Sequence, residues 1–423
     1  MVEAAAGLGS GPAGQATTQP PSGAIAAPAP RRVHFPCFDG LRAIAAISVL
    51  VTHVAFLSGF NIRQAFGRYT ARMDAGVAVF FVISGFLLYR PFVRARLADR
   101  PLPATIPYLR RRFLRIFPAW WLVLTFAIFV FRATNVRDVT SLVLWYGLVH
   151  IYTTKQFFAP VAQSWTLATE ISFYVFLPLW AYLIGRVKGS PERRLRTELY
   201  GIAALIAFTA VWRVGVYATG THRDGLYNAW LPAWIDVFAF GMLMAVFSIW
   251  TGELRRPVPF RLDRRFAPAV SWVLAGVLFW AISTQFGIPL DPNKFTHGDN
   301  YLLHYFYAVA AFFLVLPAVF GPQDRDRGWI RAFLQTRVMV FLGVISYGIY
   351  LWHELWLGKY MEWTGAHAFT VALPPILLAV FALTVVSSSI SWYAFEKPIL
   401  KLKDRSLRDT FRRRSRPALA RES

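Results

Sequence analysis

Apolar blocks long enough to cross a bilayer recur along this chain, separated by short polar segments. At ~20 apolar residues per transmembrane helix, ten spans are predicted, over residues 41–60, 76–93, 114–133, 165–185, 199–218, 229–249, 268–288, 301–320, 338–358 and 369–395. The stretch Ser141 to Tyr152 is apolar but too short to cross, which predicts an interfacial or re-entrant helix. Residues 1–30 are Ala, Gly, Pro and small polar residues with no hydrophobic period, so they are expected to be disordered, and nothing in them has the make-up of a secretory signal. The fold class expected is all-α, a polytopic integral membrane bundle. It comprises a tail over 1–37, a transmembrane domain over 38–398 and a basic tail over 399–423.

Composition supports this reading. Of the 423 residues, 56% are AVILMFWYC and 16% are charged, with a mean hydropathy of +0.43, whereas soluble domains carry ~45–50% apolar and ~25% charged residues. The charge balance looks out of place at first, because 45 Lys and Arg against 22 Asp and Glu give a net +23, which on a soluble chain suggests nucleic-acid binding. Position removes the conflict. With the N-terminus set in the cytoplasm, 34 of the basic residues fall in the inside segments and 10 in the outside ones, and Arg42 lies within the first span. Every second loop is basic, which is the positive-inside rule and implies an even number of spans with both termini cytoplasmic. The charge is thus topological, the expected partner is a lipid bilayer, and no nucleic-acid partner is expected. The single cysteine, Cys37, excludes an intrachain disulfide and a cysteine metal cluster.

Ionisable groups at membrane depth are costly and mark functional sites. Arg42 and His53 are eleven residues apart in the first span, so both project from one helix face about 16 Å apart along the axis. Arg42 is expected near the cytoplasmic end and His53 in the outer half. Glu170 in the fourth span, Asp236 in the sixth and His353 in the ninth, with Glu354 after it, are also expected in the outer half. Either Glu170 or Asp236 would support an imidazolium at His53, or Glu170 would be a structural acceptor for an arginine or a backbone N–H. On the inner side, Arg111, Arg112 and Arg115 form a cationic ridge suited to phosphate. Glu396 ends the last span and is expected to pair with one of the inner arginines. Ser84 and Gly85 lie mid-span, where a small pair permits close helix packing. The His34 and Asp39 spacing is read as chance, and His150, His222, His297 and His304 show no metal-ligand spacing, so no metal is expected.

Six pieces now carry a resemblance. FDGLRAIAAISVLVTH, FFVISGFLL, YLRRRFLRIFPAWW, SWTLATEISFY, SYGIYLWH and WYAFEKP are spread in order from residue 38 to 398, and together they resemble the acyltransferase 3 family of polytopic membrane O-acyltransferases. The resemblance implies about ten transmembrane helices in the cell membrane. It also implies transfer of an acyl group, usually acetyl, from cytosolic acyl-CoA as co-substrate to a hydroxyl of a glycan, glycolipid or macrolide-like secreted product, with no bound cofactor. Arg42 and His53 match the family's first-helix pair, and Arg111, Arg112 and Arg115 its basic third-helix motif. Glu170, His353 and Glu396 match further motif positions. Many members carry a fused secreted hydrolase-like domain, where this chain has a basic tail, so a second transfer step is expected to need another protein or to be absent. Transport without covalent chemistry is the main alternative. Inverted repeats would favour it, and the two halves show no convincing self-similarity.

Overall fold

The computed structural model describes residues 35–134, 136, 138–153, 160–220, 226–256, 267–321 and 328–404. Most of the two predicted tails, together with His34 and His222, lies outside the described residues. Within them the chain is helical, with no strand. The helices used below are α1 (Cys37–Ser58), α2 (Gly76–Leu97), α3 (Thr105–Thr125), α4 (Trp165–Gly185), α5 (Pro191–Ala218) and α6 (Ile235–Ser248). They are followed by α7 (Ala267–Thr284), α8 (His297–Val319), α9 (Arg337–Val344), α10 (Ser346–Thr364) and α11 (Leu373–Ile390).

Taken with the turns that continue them, as α6 is to Glu253, eight of these segments are long and apolar enough to cross a membrane, and α9 with α10 would be a ninth, broken by a 70° bend. α7 supplies a shorter apolar helix, Pro268–Thr284. The ten predicted spans therefore become eight continuous crossings, one broken pair and one helix short of the length criterion. The predicted interfacial stretch is overlapped by an eight-residue helix, Val139–Tyr146, held to α3 by Trp120 Nε1 donating to Trp145 O at 2.9 Å and Trp121 Nε1 to Tyr146 O at 3.0 Å.

Local chemistry sets several boundaries. Thr296 and Asp299 form a capping box at the start of α8, Ser190 with Pro191 starts α5, and Gly59 ends α1 in the left-handed region at φ 78°. α3, α6 and α11 each run into a π-turn, over Phe126–Val130, Ile249–Glu253 and Ser391–Glu396.

α1 is buried on two faces. Leu41, Ala45 and Val49 join the main core, while Ala43, Ala46, Leu50 and Val54 pack on a second cluster from α9, α10 and α11. Lipid offers no hydrophobic drive for helix association, so close packing has to supply it. The α2–α6 contact shows how: a Cβ on Gly85 would lie 2.1 Å from Phe238 O, and one on Gly241 would lie 2.1 Å from Val82 O. The predicted small-residue packing at Gly85 is observed here. By contrast α5 and α11 are peripheral, presenting Val211, Val214, Leu378 and Val386 outward, as lipid-facing helices would. A buried ion pair crosses the bundle, Arg96 Nη1 to Glu198 Oε1 at 2.7 Å, with Tyr89 also donating to Glu198.

Candidate active site

Two cavities meet inside this bundle. The first, of about 100 Å³, is lined by Arg42 of α1, Ser84 of α2, Arg112 and Arg115 of α3, Glu170 and Tyr174 of α4, and Tyr347 and Tyr350 of α10. The second, of about 470 Å³, is lined by His53, Asp74, Gln163, Trp165, Arg213, Asn228, Trp234, His304, Tyr350 and Glu354, among others. We refer to them as the arginine chamber and the histidine chamber. α1 serves both, because its 22-residue course carries Arg42 to one and His53, eleven residues on, to the other.

His53 is one-third exposed, and its ring stacks on that of His353, with centroids 5.1 Å apart and planes 12° apart. His53 Nδ1 lies 2.9 Å from His353 Nε2, and His353 Nδ1 lies 3.1 Å from Ile349 O, the carbonyl one turn earlier in α10. A carbonyl only accepts, so His353 carries its proton on Nδ1 and accepts at Nε2. His53 must then donate from Nδ1, which leaves a lone pair on its Nε2. Glu354 Oε1 stands 3.6 Å from that nitrogen. The arrangement can take up a proton at His53 Nε2 and stabilise the resulting cation. His353, Glu354 and a ring nitrogen of His53 also lie within 4.8 Å of one another, a grouping that could hold a divalent cation as well as a hydrogen bond; no metal-ligand spacing in the sequence announces it.

The structure separates residues that the sequence grouped. Glu170 is not the partner of His53; its Oε1 accepts from Ser84 Oγ at 2.6 Å and Tyr174 OH at 2.7 Å in the arginine chamber. The reason is register, since α4 starts at Trp165 and five residues carry Glu170 about 7.5 Å down the helix. Asp236 is likewise occupied elsewhere: its Oδ2 lies 2.7 Å from His304 Nε2, and both side chains are buried. Of the cationic ridge, Arg112 and Arg115 line the arginine chamber and Arg111 does not. Arg42 also approaches Asp39 at 3.5 Å. Glu396 accepts from Ser391 Oγ at 3.0 Å within the π-turn that carries both, and the expected arginine is Arg115, whose charge acts on this carboxylate without a direct ion pair among the described residues.

Sequence reasoning missed Glu354 as the acid beside His53, along with Tyr350, Gln163 and the tryptophans. One signal was available: Tyr350, His353 and Glu354 are spaced i, i+3, i+4 and so share a face of α10. His150 has no part in either chamber. It is fully buried, with Nε2 3.1 Å from Ser164 Oγ, and desolvation lowers its pKa to about 4.

Comparison with known proteins gives a consistent result. Residues 35–393 match Acyl_transf_3, described as an acyltransferase domain. The chain is 25% identical to acyltransferase MdmB of Streptomyces mycarofaciens over 407 residues, 89% of this chain and 94% of that protein. It is 26% identical to nodulation protein 10 of Rhizobium leguminosarum bv. viciae over 409 residues, 86% and 93% of the two chains. It is 24% identical to peptidoglycan O-acetyltransferase OatA of Listeria monocytogenes over 341 residues, 76% of this chain but only 49% of OatA. No solved structure matches. A bundle of apolar helices enclosing ionisable chambers, matched over nearly its whole transmembrane part, thus belongs to the acyltransferase 3 family and is a multi-pass membrane O-acyltransferase.

Proposed function

We propose that the protein moves an acetyl group from cytosolic acetyl-CoA to a hydroxyl of a carbohydrate, cell-envelope glycan or glycolipid, or glycosylated natural product, with His53 as general base. The arginine end faces the cytosol of a plasma-membrane protein, as the distribution of basic residues favours. Phosphates of the donor dock at that end, and Arg42, Arg112 and Arg115 attract the donor toward the chamber. The acceptor occupies the histidine chamber, which Trp165, Trp234, Gln163 and Asn228 help to line, a mixture of aromatic and polar side chains suited to a sugar ring. Peptidoglycan and other O-acetyltransferases among the relatives support the class of reaction.

The step is balanced within these residues. The acceptor hydroxyl gives its proton to His53 Nε2 as its oxygen attacks the thioester carbonyl. The new C–O bond forms, the C–S bond breaks, and the departing thiolate takes the proton from His53. Glu354 stabilises the imidazolium between the two transfers. The observation that carries this reading is the hydrogen-bond chain from His53 Nδ1 through His353 to Ile349 O, which leaves Nε2 as the basic nitrogen. General-base catalysis is worth ~10²–10⁴-fold, so His53→Ala, shown to be folded by gel filtration in detergent, should lose transfer from labelled acetyl-CoA by about that factor. Full transfer by His53→Ala would refute the assignment. A chelator should leave the wild type unaffected; a loss restored by added zinc would instead make the His53, His353 and Glu354 grouping a metal site.

A further inference from the structure

We propose that Val77 and Tyr350 form an acyl-length selector in the wall between the two chambers, passing acetyl and rejecting longer chains. The inference rests on the reading above, in which the donor lies on one side of that wall and the base on the other. Among the described residues, Val77 and Tyr350 alone line both chambers. Any acyl group that begins among the arginines and meets a hydroxyl activated by His53 must therefore present its carbonyl between these two side chains.

The wall is held from several directions. Tyr350 is 6% exposed, its hydroxyl lies 2.8 Å from Thr166 Oγ1 and 3.3 Å from Gln163 O, and its ring meets Phe80 edge-on at 5.9 Å. Gln163 Nε2 in turn donates to Tyr350 O at 2.9 Å and Leu351 O at 3.2 Å. A side chain bonded at its tip and braced at its backbone has little freedom to move aside for a larger group.

On the arginine side the alkyl portion of the acyl group meets Phe80, Phe81 and Leu167. The space there, about 100 Å³, is well below the ~300–1,000 Å³ of pockets that enclose drug-sized ligands. A short acyl group fits in that space, whereas a long chain has to displace packed side chains. Discrimination per methylene in an apolar pocket is ~10–200-fold. The wild type should accordingly favour acetyl-CoA over octanoyl-CoA by at least ~10²-fold in kcat/KM, with butyryl-CoA between them.

The test uses the full chain in proteoliposomes with acetyl-, propionyl-, butyryl- and octanoyl-CoA. Val77→Ala should raise the ratio of butyryl to acetyl transfer about tenfold, because it removes two methyl groups from the wall without touching the base or the arginines. Val77→Phe should close the passage, reducing acetyl transfer at least about tenfold while the dissociation constant for acetyl-CoA, measured separately, stays constant. Retained binding also shows that a slow variant is folded. The proposal is overturned if Val77→Ala binds acetyl-CoA normally but keeps the wild-type length profile, if the wild type transfers octanoyl as readily as acetyl, or if Val77→Phe remains fully active. His53→Ala is run alongside. Its full activity with an altered Val77→Ala profile would refute the base and leave the selector standing; absence of transfer from any acyl-CoA by the wild type would remove both.

Discussion

The arginine chamber and the histidine chamber share a wall and differ in almost everything else. One is small and collects three arginines against Glu170. The other is more than four times larger at about 470 Å³ and sets Arg213 against Asp74 and Glu354 among tryptophans and amides. A surplus of guanidinium groups suits a polyanion, and near-balanced charge with aromatic faces suits an uncharged hydroxyl compound. The contrast teaches that one bundle can keep two chemically unlike partners apart until their reacting atoms meet. Few side chains need to serve both.

Losing that separation is measurable. The largest effect is expected on the donor side, where the double variant Arg112→Gln/Arg115→Gln should raise KM for acetyl-CoA about 10²-fold or more, given ~1.5–3 kcal/mol for each charged hydrogen bond, and leave KM for the acceptor unchanged. A shift in acceptor KM instead would break the comparison. Next comes the proton chain. His353→Ala should lower kcat on the order of tenfold by freeing the orientation of His53, and His353→Gln should recover part of it, since a side-chain carbonyl can accept from His53 Nδ1. Equal loss in both variants would reduce His353 to packing. Trp165→Ala should raise acceptor KM several-fold with acetyl-CoA KM constant, and Trp165→Phe should lie between it and the wild type, as a ring that only stacks would.

The smallest effect lies outside both chambers. His150 has its folded-state pKa lowered to about 4 by burial, against ~6.5 when unfolded. The unfolded chain binds the extra proton first, so this contribution is present above about pH 6.5 and is lost as pH falls toward 4. Thermal midpoints in detergent should decline over that window, and His150→Gln should flatten the decline without altering the acyl-CoA length profile.

How much of this was legible in the sequence differs by residue. The separation of Arg42 and His53 could be read from the sequence, because both lie on one unbroken helix and 3.6 residues per turn fixes their spacing. Glu170 and Asp236 were assigned to His53 by depth alone, and depth does not say which way a helix is rotated or who competes for its side chains. Ser84 and Tyr174 take Glu170, and His304 takes Asp236. Glu354 was visible beside His353 but undistinguished, since its use depends on α10 being packed against α1.

The sequence by itself determined the helical membrane class, the positions of most spans and the family, because these follow from apolar block length and from motifs preserved in order along one chain. Tertiary structure decided the 70° break between α9 and α10, the division into two chambers and the partner of His53. Those depend on contacts between residues as far as 300 positions apart, and no local period or composition encodes the rotation and crossing of helices that bring such residues within hydrogen-bonding distance.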